Sequence, residues 1–290
     1  MHFKNGKELL KICNKNNLQI FEVMIKRECE KFDISKKEAI KKMTERFETM
    51  ENAIEKGIKE SNKSFTGLIG GEAKALDEYK KNKKSISGPH MINSIKNALA
   101  TMEQNSKMGR IVAAPTAGSC GILPGVLITT AKEFNIPKNK VINALFTASA
   151  IGYIVSRNAT VSGAEGGCQA ETGTASAMAA AGLVELFDGT AQQALSAASF
   201  TLKNILGLVC DPVAGLVELP CAKRNALGVS NAMISSDMAL AGIKTRIPFD
   251  QVVDSLYRVG KKMNPDLKET ANGGIAITEA AKKYEKHIFK

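Results

Sequence analysis

Over the first sixty residues, apolar side chains return every third or fourth position: Leu9, Leu10 and Ile12, then Ile20, Phe21, Met24 and Ile25, then Ile40, Met43, Phe47, Met50 and Ile54. Side chains at that spacing share one face of a helix, and lysines and glutamates fill the other face. Residues 1–64 are therefore expected to form a charged, amphipathic helical segment. The chain turns small and polar between Ser61 and Gly71, and its character changes again after the lysine cluster ending at Lys84. Residues 65–290 are expected to form the main unit, continuous with the first segment as one domain.

Past Gly88, Ala-rich stretches with helical spacing alternate with Gly-rich loops, which predicts helices near 90–106, 124–134, 138–156, 171–187, 190–206, 223–241 and 249–262. Strand signals are scarce. Pro124 suits the first turn of a helix, and the Ala-rich run from Ala175 to Ala181 favours helix and allows close helix packing. The pattern predicts an all-α fold, a compact helical bundle whose Gly-rich, Cys-bearing loops sit at helix ends.

A chain of 290 residues with 44% apolar and 24% charged content can bury a sizeable core without special help. No run is long and apolar enough for a membrane helix, and Met1 to Asn5 lack the apolar segment of a secretory signal, so a cytoplasmic protein with no membrane partner is expected. The net charge of +11 raises nucleic-acid binding as a possibility. Its distribution argues against it: residues 111–222 hold five basic side chains (Lys132, Lys138, Lys140, Arg157, Lys203) against seven acidic ones (Glu133, Glu165, Glu171, Glu185, Asp188, Asp211, Glu218). The positive excess lies in the flanks, in runs such as Lys80 to Lys84 that suit a solvated surface.

Of six cysteines, Cys13 and Cys29 fall within amphipathic helical patterns and read as packing residues. Cys120, Cys168, Cys210 and Cys221 fall in three loops: Ala114 to Gly125, Ser162 to Glu171, and Cys210 to Cys221. In a reducing compartment such cysteines point to metal ligation or catalysis more than to disulfides. Thiolates select zinc or iron–sulfur clusters, and an anionic cluster gains from nearby backbone N–H groups and positive helix ends. The spacing fits neither the close pairs of structural zinc sites nor ferredoxin runs, and by itself it leaves buried inert thiols equally open. In the first loop, donors from Thr116, Gly118, Ser119 and Gly121 ahead of Pro124 are arranged to hold a carboxylate, with a plain tight turn as the alternative.

The segments Ser162–Ala181 and Cys210–Gly228, the latter closing on Pro220-Cys221-Ala222-Lys223-Arg224-Asn225-Ala226-Leu227-Gly228, resemble the iron–sulfur-dependent L-serine dehydratases, specifically their separate alpha subunit. The resemblance runs from about Phe65 to the C-terminus. It implies a lyase that deaminates L-serine to pyruvate and ammonia. It also implies a 4Fe-4S cluster on Cys168, Cys210 and Cys221, with one iron lacking a protein thiolate and acting as Lewis acid, and no cluster role for Cys120. Some single-chain relatives cap that iron with a C-terminal cysteine, whereas this chain ends Lys286-His287-Ile288-Phe289-Lys290.

The same resemblance implies a beta subunit that completes the active site. Within this chain only His2, His90 and His287 are histidines, none in the three central loops; His90 is the best-placed base among them, with a structural role the commoner fate of such a residue. Lys223, Arg224 and Asn225 are expected to orient the substrate carboxylate or the sulfur ligands, and Ser162, with Asn158 and Glu165 as similar cases, to line the site. Pyridoxal phosphate is not expected, because Ser64-Phe65 is followed by Thr66 and not by a Schiff-base lysine. L-Cysteine desulfidation, or a non-catalytic iron–sulfur sensor or redox module, are the competing functions.

Overall fold

The structure, a computed structural model, describes residues 1–290. It contains thirteen α-helices: α1 (Gly6–Asn16), α2 (Ile20–Phe32), α3 (Lys36–Lys59), α4 (Glu72–Asn82), α5 (Gly88–Ser106), α6 (Ile122–Glu133), α7 (Lys138–Asn158), α8 (Gly163–Gly166), α9 (Cys168–Leu186), α10 (Ala191–Asn204), α11 (Cys221–Leu240), α12 (Phe249–Lys262) and α13 (Glu279–Ile288). The nearest approach to a sheet is an isolated bridge between Cys210 and Lys268. The fold is all-α, as the pattern predicts, and no helix is long and apolar enough to cross a membrane.

The bundle is built around α9, which packs against α6, α7, α10 and α11. A helix enclosed on every side needs no polar face, and α9 has none: from Cys168 to Leu186 every residue is buried except Glu171 and Glu185. Its side chains are mostly Ala, Gly, Ser and Thr, small enough for neighbouring backbones to close in. Two of its hydroxyls bond within the helix: Ser176 Oγ donates to the Thr172 carbonyl at 2.7 Å, and Thr172 Oγ1 lies 3.4 Å from Cys168 Sγ.

Around this centre the amphipathic helices turn their apolar stripes inward. Leu9, Ile20, Val23, Met43, Phe47, Met50 and Ile54 join one continuous apolar core with residues of α6, α7, α9 and α10. Gly57 marks how closely α3 lies on α5, since a Cβ there would collide with the Ala100 carbonyl. Local signals set the ends: Ser35 caps α3 by accepting from the Glu38 N–H at 3.1 Å, and Thr190 with Gln193 forms a capping box on α10.

The predicted helices are all present, but α6, α9 and α11 begin two or three residues earlier than their patterns suggest, at Ile122, Cys168 and Cys221. Cys168 and Cys221 thus occupy first helical positions and not loops. Gly and Pro before each conceal the start from a periodicity argument. Helices α4, α8 and α13 lie outside the predicted set: α8 is a single turn, and α4 and α13 are short and charged.

Glu185, near the far end of α9, accepts from Thr147 Oγ1 of α7 at 2.7 Å. Burial pushes its carboxyl up to about 7; the Thr147 bond and Lys140 oppose this, and Asp188 and Glu22 add to it. Because the folded value lies above the unfolded one, the native state favours the protonated form. The associated stability is full below the unfolded value and is lost as pH rises through about 7. Glu185→Gln should therefore melt with the wild type near pH 4 and gain about 2 kcal/mol over it near pH 8, read by thermal denaturation. An equal difference at both pH values would show that Glu185 is not held protonated.

Candidate metal centre

Three loops converge beside the N-termini of α9 and α11. Cys168 opens α9 behind Gly167, whose φ of 76° and near contact with the Leu208 carbonyl suit glycine alone. Gln169 then fixes this corner: its Nε2 donates to the carbonyls of Gly166 and Leu256, and its Oε1 accepts from the Gly207 N–H. Cys210 lies in an extended segment, its N–H donating to the Leu267 carbonyl at 2.8 Å and its carbonyl accepting from the Glu269 N–H at 2.7 Å. Cys221 opens α11 directly after Pro220. All three thiols are buried, and all six cysteines are free.

The Cys168 and Cys210 sulfurs and a Glu171 carboxylate oxygen lie within 4.8 Å of one another. Cys221 stands outside that trio, yet close enough for charge on Cys168 and Glu171 to act on its thiol. Glu171 follows Cys168 by three residues and so shares its helix face. It accepts from Thr116 Oγ1 at 2.6 Å, and Thr116 lies 3.2 Å from Ser119 Oγ. Glycine forms the wall: a Cβ on Gly163 would sit 2.8 Å from Glu171 Oε2 and 2.9 Å from Cys210 Sγ, and one on Gly118 3.3 Å from Glu171 Oε1. Thr116, Gly118, Ser162 and Glu171 are only half-buried, so the centre has one side open to solvent.

Electrostatics divide the thiols. A hydrogen bond from Cys210 lowers the pKa of Cys168, aided by Thr172 and Arg224 against the cost of burial, and the same bond raises that of Cys210. Burial raises Cys221, and the nearby negative groups add to it. Glu171 is pushed up to about 7, chiefly by burial, with the Thr116 bond opposing. Two buried thiols facing each other, a third within reach, a cation and two helix N-termini make a donor set that fits an anionic, thiolate-ligated metal group better than inert packing. Cys120 differs: it is wholly buried with Met102, Leu99 and Ile69, and burial pushes its thiol up to about 12.

The other expected site residues have definite places. Asn225 is fully buried and clamps two loops, its Nδ2 donating to the Gly118 and Cys221 carbonyls and its Oδ1 accepting from the Gly121 N–H at 3.1 Å. Lys223 points outward to Glu72 at 2.7 Å. Arg224 turns inward to the Val209 carbonyl and Asp211. Ser162 precedes Gly163 without capping the short α8, Glu165 is exposed, and Asn158 bonds to the Lys4 and Ile154 carbonyls.

His90 lies elsewhere, its Nε2 2.9 Å from Thr130 Oγ1, in a cavity of about 180 Å³ that no cysteine lines. A larger cavity of about 670 Å³ between α2, α3 and α7 also excludes the cysteines and reaches the centre only through Ala114 and Pro115. Glu171 and Asp211 were not singled out from sequence. Glu171 was findable, being one turn beyond Cys168 on the same helix; Asp211 was not, because its partners come from remote segments.

Fold and site together define an all-α protein with a buried cysteine centre at converging helix ends. The chain belongs to the serine dehydratase alpha chain family, whose sequence model matches residues 15–276. It is 49% identical over 287 residues to the probable L-serine dehydratase, alpha chain, of Bacillus subtilis (strain 168), covering 99% of this chain and 95% of that one. It is 42% identical over 285 residues to the L-serine dehydratase, alpha chain, of Peptoniphilus asaccharolyticus, covering 98% of each. L-serine dehydratase TdcG of Escherichia coli (strain K12) is 38% identical over 289 residues, which span 95% of this chain and 62% of the longer relative.

If Asn225 is the clamp, Asn225→Ala should cost about 2–4 kcal/mol, because it strands the buried Gly121 N–H and frees the Gly118 carbonyl from α11, whereas Lys223→Ala, at an exposed ion pair, should cost under about 1 kcal/mol. Urea unfolding of the two variants compares them directly; equal costs would remove Asn225 from that role.

Proposed function

We propose that this chain is the alpha subunit of an L-serine dehydratase, converting L-serine to pyruvate and ammonia, with a 4Fe-4S cluster on Cys168, Cys210 and Cys221. The observation that carries it is the convergence of the Cys168 and Cys210 thiols with Glu171 in a glycine-walled site open on one side. The alpha-chain names of the relatives favour serine as substrate and a second, beta chain as partner. When bound, the cluster would supply Lewis acidity to the departing hydroxyl.

The chain's own residues have the remaining work. Gly118 and Gly163 let their loops close onto Glu171 and Cys210, where a side chain would crowd them. Thr116 Oγ1, backed by the buried Ser119 hydroxyl, holds Glu171 at the half-exposed side of the centre, where the ionised carboxylate would pair with a substrate ammonium group. Loss of the α-proton needs a base near neutral pH. With His90 bonded to Thr130 in a separate cavity, the partner chain is the proposed source of that base. The aminoacrylate released by dehydration tautomerises to an imine and hydrolyses without further catalysis.

Mössbauer spectra of anaerobically reconstituted, iron-57-labelled protein with its partner should change for one iron of four when L-serine is added, and not for L-alanine. Cys168→Ser, Cys210→Ser and Cys221→Ser should each lose most bound iron, while Cys120→Ala should keep it. A cluster that ignores L-serine in the complex would replace the lyase with a redox or sensor module. A higher kcat/KM on L-cysteine than on L-serine would make the protein a desulfidase.

A further inference from the structure

The C-terminal segment lies beside the cysteine centre, held at two points, the Cys210 backbone and the Asp211 side chain. Residues 267–269 pair with the Cys210 backbone on both sides. One residue on, the Asp211 side chain, 3% exposed, turns the opposite way: its Oδ2 accepts from the Ile275 N–H at 2.7 Å. Gly274 makes this approach possible. It has φ +58°, and a Cβ there would collide with Asp211 Oδ2. Helix α13 continues from this point and packs on the turn at residues 213–215 of the Cys210–Cys221 loop.

Asp211 Oδ1 has no aligned hydrogen bond, and its compensation is the charge of Arg224, whose Nη2 lies 2.7 Å away. The Arg224 side chain is 13% exposed, and its Nη1 donates to the Val209 carbonyl at 2.8 Å. Arg224 also faces the Cys168 side chain. One guanidinium therefore touches the segments carrying Cys168, Cys210 and, through its own helix, Cys221. A buried carboxylate left without that cation would carry the full cost of its desolvation. Lysine could not replace it, since a single ammonium cannot span a carbonyl, a carboxylate and a thiolate at once.

We propose that Arg224 and Asp211 are positioning residues that latch residues 264–277 over Cys210, so that filling the centre and seating this C-terminal strap are coupled. The proposal rests on the three cysteines being the ligands. A thiolate-bound anionic group draws Arg224 towards Cys168 and fixes Cys210, and both of these hold Asp211 where Gly274 and Ile275 receive it. An empty centre removes that restraint and loosens the strap. Neither residue needs to touch substrate.

The test uses the full chain, reconstituted anaerobically with iron and sulfide, and reads bound iron, the rate at which the cluster absorbance bleaches in air, and limited proteolysis within residues 264–290. Loaded wild type should resist cleavage there about tenfold better than the metal-free protein. Gly274→Ala and Arg224→Gln should bleach about tenfold faster with helical circular dichroism unchanged, and Arg224→Lys should not rescue. Gly274→Ala leaves every ligand-bearing helix intact and so decides the matter if Arg224→Gln fails to fold. Wild-type bleaching in Gly274→Ala, or strap cleavage that ignores loading, overturns the latch while the metal centre stands. A wild-type chain that binds no iron under these conditions overturns both.

Discussion

Helix α9 is packed on all sides, and it can be because most side chains between Cys168 and Leu186 are Ala, Gly, Ser or Thr. Close packing of that kind leaves a helix few ways to shift, since interiors at crystal-like density have no slack to absorb movement. The position of its first residue is therefore set by contacts along its whole length. Cys168 inherits that precision, and Gln169 extends it by joining the start of α9 to α12 and to the loop before Cys210.

A rigid floor alone would not make a metal centre, because gathering thiolates out of water is costly. The cost is met locally. Cys168 and Cys221 sit at the positive N-terminal ends of α9 and α11, and Arg224 adds a full positive charge between Cys168 and Asp211. The positive excess of the chain contributes little here, since its lysines lie mainly in the flanking segments. The centre is instead paired with acidic groups: Glu171 within reach of two sulfurs, and Asp211 as the counter-charge of Arg224. Arg224 is the cation of the centre, while Glu171 and the sulfurs repel one another, which adds to the burial that raises the Glu171 carboxyl.

The half-exposed side of the centre carries Thr116, Gly118, Ser162 and Glu171, where substrate would enter and where a second chain could supply what this one lacks. The buried side carries Cys221, Asn225 and the Cys120 packing cluster. The first loop thus has two faces: Thr116 and Gly118 lie on the half-exposed side, while Ser119 and Cys120 belong to the core.

The sequence by itself determined the helices, because periodicity of apolar positions is a local property that tertiary contacts reinforced and did not reverse. It also determined the chemistry on offer, since three cysteines flanked by Gly and Pro in otherwise helical surroundings already limited the choices to ligation or inert packing. Only the tertiary structure decided which polar residues serve those cysteines. Lys223, Arg224 and Asn225 are consecutive and looked alike, yet one points to solvent, one joins Cys168 to Asp211, and one clamps the Gly118 loop. Successive residues on a helix point about 100° apart, so neighbours in sequence meet different surroundings. Those surroundings are built from segments as distant as Gly118 and Ile275, a relation no local pattern encodes.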